Sequence, residues 1–246
     1  MAPRVGVVVF PGTNCEHDVV AALDALGGQG ELVWHGQTSL EGLDAVVLPG
    51  GFAHGDYLRP GALARFSPVM AAVAGFAAAG GPVVGVCNGF QVLTEAGLLP
   101  GALQKNRRLR FVCAPVRLRV TSGRSVLTRS VPVGTELVVP INHFLGSYVC
   151  DDATLEVLRA EDRVVLRYLD NPNGSVDDIA GVANAEGNVV GLMPHPERAT
   201  SKLLGSIDGV ALLRSLLGSA AGSGGSGGPG LTSVRARSRR AGAPPR

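Results

Sequence analysis

The chain has 246 residues, of which 46% are hydrophobic, and a formal net charge of +2, a composition that suits one domain with a sizeable core. No apolar run approaches the roughly 18 residues that span a bilayer, which argues against a membrane-spanning helix. The four cysteines form no Cys-x-x-Cys pair, which argues against a disulfide framework and a zinc site. Five arginines lie in 218–246, and the rest of the chain has 17 basic and 20 acidic residues, so its charge gives no reason to expect nucleic-acid binding. Unpaired cysteines favour a reducing, cytoplasmic location.

The first half alternates short apolar runs with helix-like segments. The runs are nearly continuous in Val, Leu and Ile, as expected for parallel strands that are covered on both faces. Of the segments between them, 15–27 has apolar residues at helical spacing, and 61–79 is rich in Ala, Val, Met and Phe. This β-α-β-α order predicts an α/β fold, an open and mostly parallel sheet flanked by helices. The predicted strands are 4–10, 30–34, 44–50 and 82–87.

The second half contains strand-like runs in quick succession, separated by turns rich in Gly, Asn and Asp, and we predict β-hairpins appended to the same sheet. A last helix at 207–217 would close a single domain, 1–217. The rest of the chain, 218–246, is rich in Gly, Ser and Arg and cannot bury a core, so it is predicted to be a disordered tail. The six strand-like runs are 112–120, 135–140, 154–160, 163–169, 179–185 and 188–194.

The stretch 85–89 reads Gly-Val-Cys-Asn-Gly and lies between a buried strand and a helix. This is the spacing of a nucleophile elbow, with Cys87 in the position of the nucleophile. A helix that begins at Asn88 would direct its free N–H groups toward the sulfur and favour the thiolate. Cys87 could also be an ordinary small core residue, so the elbow alone does not decide the function.

A second pattern is the stretch "GLMPHPER", 191–198. Pro194 and Pro196 flank His195 and exclude a helix there. In an extended chain His195 and Glu197 point to the same side, so the carboxylate can orient the imidazole. A base that is oriented by an acid is what a cysteine nucleophile requires, and the two patterns together favour catalysis.

A third pattern is Gly50-Gly51, at the end of the strand in "VVLPGGFAHGDYLRPG". Paired glycines allow a backbone N–H to approach a ligand closely. They are also common in ordinary tight turns. In an elbow enzyme a loop of this kind supplies an oxyanion donor, and Gly51 is the candidate, together with the N–H of Asn88.

These three patterns, in this chain order, resemble class I glutamine amidotransferases of the flavodoxin-like fold. Within that group the closer resemblance is to the amidotransferase subunits of phosphoribosylformylglycinamidine synthase, which act in purine biosynthesis. The motifs that carry the resemblance span nearly all of 1–217. They are "FPGTNCEHD" (10–18), "PGGFAHGDYLRPGALARFSPVM" (49–70), "GVCNGFQVLTEAGLLPGAL" (85–103) and "DNPNGSVDDIAGVANAEGNVVGLMPHPER" (170–198).

The resemblance implies that Cys87 attacks the side-chain amide of glutamine, that His195 transfers protons and that Glu197 orients His195. It also implies that ammonia passes to a synthetase subunit, which uses ATP and Mg to convert formylglycinamide ribonucleotide to an amidine. A small third subunit would bridge the two. We expect no cofactor or metal in this chain, which has no Walker-type phosphate loop.

The resemblance further implies that Gly50, Gly51, Asn88 and Gln91 form the oxyanion and substrate site. One loop departs from the family pattern: 140–150 reads "PINHFLGSYVC" in place of a Gly-Glu-Gly-Arg-Tyr-like run. His143 in this loop lacks a paired carboxylate at suitable spacing, so His195 is the preferred base. Three alternatives remain, namely a catalytically silent subunit, an amidotransferase for another acceptor, and a cysteine peptidase or chaperone of the related superfamily.

Overall fold

The computed structural model describes residues 1–223, in which a nine-stranded sheet forms the centre of the fold. Its strands lie in the order β2-β1-β3-β4-β11-β10-β9-β6-β7. A separate two-stranded sheet pairs β5 with β8. The strands are β1 (Arg4–Val9), β2 (Gln29–Trp34), β3 (Ala45–Leu48), β4 (Val83–Val86), β5 (Ala102–Lys105), β6 (Val112–Val120), β7 (Glu136–His143), β8 (Leu145–Val149), β9 (Val164–Tyr168), β10 (Ile179–Ala183) and β11 (Val189–Leu192).

The two halves of the large sheet differ in strand direction. From β2 to β11 neighbouring strands are parallel, and from β11 onward through β10, β9, β6 and β7 they are antiparallel. β3, β4 and β11 are buried at every position, as their continuous apolar sequences predict. The mostly parallel sheet with appended hairpins therefore forms as predicted.

In the described part of the chain five α-helices accompany these strands: α1 (Glu16–Ala25), α2 (Pro68–Ala78), α3 (Asn88–Glu95), α4 (Asp152–Ala160) and α5 (Gly209–Ser223). α1 packs against β1 and β2, and α3 packs against β4 and β11, the strands that precede the two catalytic motifs. None of the helices within 1–223 combines the length and the apolar character that crossing a membrane requires.

The prediction of a strand at 154–160 is wrong, because this segment lies in α4. Asp151 caps the helix by accepting a hydrogen bond from the backbone N–H of Thr154 at 2.7 Å. Leu155 and Leu158, three residues apart, are the buried positions of the helix, and most of its other residues are exposed. Polar and apolar residues alternate at the start of this short run, a pattern that is also typical of a strand.

The predicted end of the domain at 217 is too early, because α5 continues to Ser223. Ala220 is fully buried, and the Ser219 hydroxyl donates to the carbonyl oxygens of Val126 at 3.1 Å and Ser215 at 2.8 Å. Gly218 therefore lies inside the helix and does not begin a tail. The rest of the predicted tail, 224–246, falls outside the described residues.

We expect the end of α5 to contribute measurably to stability. Deleting 219–246 removes the buried Ala220 and the hydrogen bonds of Ser219, a loss of about 1–2 kcal/mol. Thermal unfolding should therefore begin a few degrees lower than for a chain shortened at 224. Equal melting temperatures for the two truncations would contradict the helix end as a stabilising element.

Candidate active site

The elbow forms where β4 meets α3, and Cys87 has the unusual backbone angles φ 51° and ψ −105°. Such a conformation is costly for a residue other than glycine, and it presents the side chain at the edge of the sheet. A Cβ at Gly85 would lie 2.6 Å from the carbonyl oxygen of Gly89, and a Cβ at Gly89 would overlap the carbonyl of Leu48. The glycines thus permit the close packing of strand and helix.

His195 and Glu197 form a buried pair directly after β11. The imidazole Nδ1 lies 2.6 Å from a carboxylate oxygen of Glu197, and the two residues are 1% and 3% exposed. Because β11 is hydrogen-bonded to β4, His195 and Cys87 emerge next to each other at the same edge. Burial by itself lowers the pKa of His195, but the charges of Glu197 and Cys87 outweigh it and raise the pKa well above its usual value.

The Gly51 loop lies against the chain that follows β1. Gly51 has φ 147°, and it forms an isolated bridge with Thr13. A Cβ at Gly51 would lie 2.7 Å from Thr13 Cα, so the position admits only glycine. Within 1–223 the backbone N–H of Gly51 has no acceptor, and the N–H of Asn88 opens α3, where no intrahelical acceptor exists.

The side chains of Asn88 and Gln91 join three segments around Cys87. The Asn88 oxygen accepts from the N–H of Ala53 at 3.0 Å, and its amide donates to Gln91 at 2.8 Å. The Gln91 amide in turn donates to the carbonyl of Leu145 at 2.6 Å. Both polar ends of the Gln91 side chain are therefore occupied by protein. These contacts indicate that Gln91 stabilises the pocket wall. The substrate contact predicted for Gln91 stays a prediction.

A pocket of about 80 Å³ opens in front of Cys87. Its lining includes the predicted residues Gly51, Cys87, Gln91 and His195. Gly50 lies behind it, where an added Cβ would come within 2.7 Å of His195 Cε1. Its lining also includes four residues of the 140–150 loop, Asn142, His143, Phe144 and Leu145. Five further lining residues were not expected from the sequence: Asn14, Cys15, Phe52, Asp56 and Arg198.

Asp56 is the carboxylate that the sequence did not indicate. It is partly buried, has φ 53°, and accepts a weak hydrogen bond from the amide of Asn88 at 3.3 Å. Burial raises the pKa of Asp56 to about 6, although the bond from Asn88 opposes this shift. The carboxyl group therefore changes its charge close to neutral pH.

Cys15 is a second buried thiol at the site. Its sulfur lies 3.2 Å from a guanidinium nitrogen of Arg198, whose other nitrogen Nε donates to Asp18 at 3.0 Å. Side-chain atoms of Cys15, His195 and Glu197 all lie within 4.8 Å of one another, close enough to share an ion. The bond between His195 and Glu197 already uses Nδ1, and the absence of a metal stays a prediction.

His143 is held in one tautomer. The amide nitrogen of Asn106 donates to the carbonyls of Arg110 and His143, both at 2.9 Å, so its oxygen is free to accept from His143 Nδ1 at 3.1 Å. His143 Nε2 is therefore the unprotonated nitrogen, buried and without a partner in the described chain. Burial, followed by the charge of His195, lowers the pKa of His143 to about 4. No carboxylate of residues 1–223 pairs with His143, whereas Glu197 pairs with His195.

A cysteine on an elbow, beside a buried His–Glu pair at the carboxyl edge of a mostly parallel sheet, is the arrangement of class I glutamine amidotransferases. A family model described as a CobB/CobQ-like glutamine amidotransferase domain matches residues 2–209. The chain belongs to this family of glutamine amidotransferase domains.

Among its relatives, phosphoribosylformylglycinamidine synthase subunit PurQ of Rubrobacter xylanophilus is 58% identical over 217 residues, 88% of this chain and 99% of the relative. The protein of the same name from Synechococcus elongatus is 54% identical, over 87% of this chain and 97% of its own. Among solved structures, a chain of PurLQS from Thermotoga maritima has 42% identity and a TM-score of 0.82, and the match covers 89% of this chain and 99% of that chain.

Proposed function

We propose that this chain is the glutaminase subunit of phosphoribosylformylglycinamidine synthase. The observation that carries the proposal is the buried His195–Glu197 pair, set beside the strained Cys87 elbow by the pairing of β11 with β4. Relatives that match 87–88% of this chain, and 97–99% of their own length, bear the name of that subunit. An intact nucleophile, base and orienting acid argue against the alternative of a catalytically silent subunit.

In the proposed reaction the Cys87 thiolate attacks the side-chain carbonyl carbon of glutamine. The N–H groups of Gly51 and Asn88 stabilise the negative charge that develops on the carbonyl oxygen. Protonated His195 gives its Nε2 proton to the amide nitrogen, the carbon–nitrogen bond breaks, and ammonia leaves a glutamyl thioester on Cys87. Neutral His195 then removes a proton from water, which attacks the thioester and releases glutamate, while Glu197 holds the ring.

The acceptor chemistry is assigned to other chains. A synthetase subunit, joined by a small bridging subunit, would use ATP and Mg to convert formylglycinamide ribonucleotide to the amidine with the ammonia made here. This chain would need no cofactor of its own, and the complex would act in the cytoplasm. The relative of known structure is named PurLQS, which supports such an assembly.

We expect Asp56 to bind the α-ammonium group of glutamine. Only the ionised carboxylate attracts a cation, so glutamine binding should weaken as the pH falls through the Asp56 pKa of about 6. Asp56→Asn should raise KM for glutamine about tenfold or more, with a smaller effect on kcat. In pH profiles of kcat/KM the variant should lose the ionisation near 6. A variant profile that superimposes on the wild type would contradict this role.

The test of the proposed function adds the purified synthetase and bridging subunits to this chain. Glutamine, ATP and formylglycinamide ribonucleotide should then yield the amidine. Glutamine hydrolysis by this chain alone should be slow and should rise on the order of 100-fold in the complex, which needs about 2.7 kcal/mol of differential binding. Absence of glutamine-dependent amidine would refute the assignment, and equal hydrolysis with and without partners would favour a free-standing amidase.

A further inference from the structure

The segment 105–111, between β5 and β6, exposes an unusual set of side chains, and we call it the basic segment. Lys105, Arg107, Arg108 and Arg110 are all exposed, and none has an ion pair or side-chain hydrogen bond within the described part of the chain. Most other exposed arginines are paired. Arg4, Arg59, Arg117, Arg119 and Arg159 each meet a carboxylate at 2.5 to 2.9 Å. The basic segment thus concentrates four unpaired positive charges within seven residues, 105–111.

The same segment exposes two large apolar side chains. Leu109 is 67% exposed, with φ 51°, and Phe111 is 49% exposed. A leucine in the left-handed region costs about 1 kcal/mol or more, and its exposure returns no burial energy within this chain. Leucine and phenylalanine surrounded by arginines have the composition of a protein interface, with an apolar centre and charged groups around it.

The basic segment is fastened to the wall of the pocket in front of Cys87. The Asn106 N–H donates to the carbonyl of Phe144 at 2.9 Å, and the Asn106 amide donates to the carbonyl of His143. Both acceptors belong to residues that line the pocket. The Arg107 N–H bonds to the carbonyl of Asn173 at 2.8 Å, and the Leu109 N–H bonds to that of Asn106 at 2.8 Å. These bonds fix the backbone of the basic segment against residues that line the pocket.

We propose that the basic segment docks on an acidic surface of the synthetase subunit, with Leu109 and Phe111 buried at the centre of that contact. The proposal rests on the proposed function, since it names the surface through which the glutaminase meets its partner. A contact at the pocket wall keeps the released ammonia away from bulk water. Residues 1–217 are net acidic, and an apolar leucine at the tip contributes nothing to binding phosphates, so a protein partner fits better than a nucleic acid.

The test compares two charge-reversal variants of equal net charge. Arg108→Glu/Arg110→Glu changes the basic segment, and Arg129→Glu/Arg214→Glu changes two other exposed arginines that have no ion pair among residues 1–223. Sedimentation measures the Kd for the synthetase subunit at low and high salt. The first variant should weaken the complex by about 30-fold or more, with the largest loss at low salt, and the second should bind within about threefold of the wild type.

A further variant keeps the test valid if charge reversal disturbs folding. In Leu109→Asn the new asparagine can adopt the left-handed backbone conformation, so only the apolar contact is lost. The melting temperature of this variant should match that of the wild type, while its Kd for the synthetase subunit should rise about tenfold. Wild-type affinity of both basic-segment variants would overturn the proposal. The proposal would also be overturned if these variants bound the synthetase subunit with wild-type affinity but had lost an affinity of the wild type for duplex DNA. Each Kd is compared with that of the wild-type complex, so failure of the wild type to bind at all refutes the proposed function instead.

Discussion

Cys87→Ala should abolish glutamine-dependent amidine synthesis and leave ammonia-dependent synthesis by the complex intact. The variant has no nucleophile to form the thioester, so we expect glutamine hydrolysis to fall on the order of 10⁴-fold or more. Added ammonia bypasses the site and reaches the synthetase directly. The measurement is amidine formation with glutamine and, in parallel, with ammonium salt.

Cys113→Ala provides the matched control, because Cys113 is an exposed cysteine outside the pocket of Cys87. It should retain both activities. A glutamine-like electrophile followed by peptide mapping should label Cys87 and leave Cys113 unmodified. If Cys87→Ala still hydrolysed glutamine, the nucleophile would have to be another residue, and buried Cys15 would be the first to examine.

His195→Ala should cause the second large loss, because it removes both the proton donor to ammonia and the base for water. Glutamine hydrolysis should fall about 10³-fold or more, and single-turnover assays should show the reaction stalled before or at the thioester. Glu197→Gln should be roughly 10–100-fold milder, since Glu197 holds the ring and raises the pKa of His195 without touching the substrate.

His143→Ala separates the two histidines that face the pocket. His143 is neutral, with a pKa of about 4, and it donates its only proton to Asn106. It can therefore accept a hydrogen bond but cannot serve as the acid that protonates ammonia near neutral pH. The variant should retain thioester formation and breakdown. A defect in single-turnover assays as severe as that of His195→Ala would mean that the base has been assigned to the wrong residue.

Most of the parallel half of the fold was predictable because β1, β3, β4 and β11 are largely buried and have nearly continuous apolar sequences, whereas most positions of the edge strand β2 are exposed or partly buried. The other half was harder. A short run at 154–160 alternates like a strand but becomes α4 through the cap at Asp151. β5 and β8 were missed, since "ALQK" and "LGSYV" are neither continuously apolar nor regularly alternating. β5 and β8 pair with each other although they lie about 40 residues apart in the sequence, so local sequence patterns do not reveal the pairing.

The candidate site divides in the same way. Cys87, His195 and Glu197 were predictable because each lies in a short motif whose local geometry implies its chemistry. Cys15 and Asp56 have no such signature. They reach the pocket because the bridge between Thr13 and Gly51 brings two loops together. The motif "FPGTNCEHD", which contributed to the family resemblance, was the available signal for Cys15.

The position of β11 between β4 and β10 has a consequence for the order of events during synthesis. Val189–Leu192 leaves the ribosome long after Val83–Val86, at usual elongation rates on the order of ten seconds later. Until it arrives, the nascent sheet has an open edge at β4, and the elbow cysteine has neither its neighbouring strand nor its base. Cys87 is therefore synthesised well before His195 and Glu197, which it requires for catalysis. A nascent chain that has not yet reached β11 should hydrolyse no glutamine. The period in which the edge of β4 is unpaired is when a chaperone would be needed most.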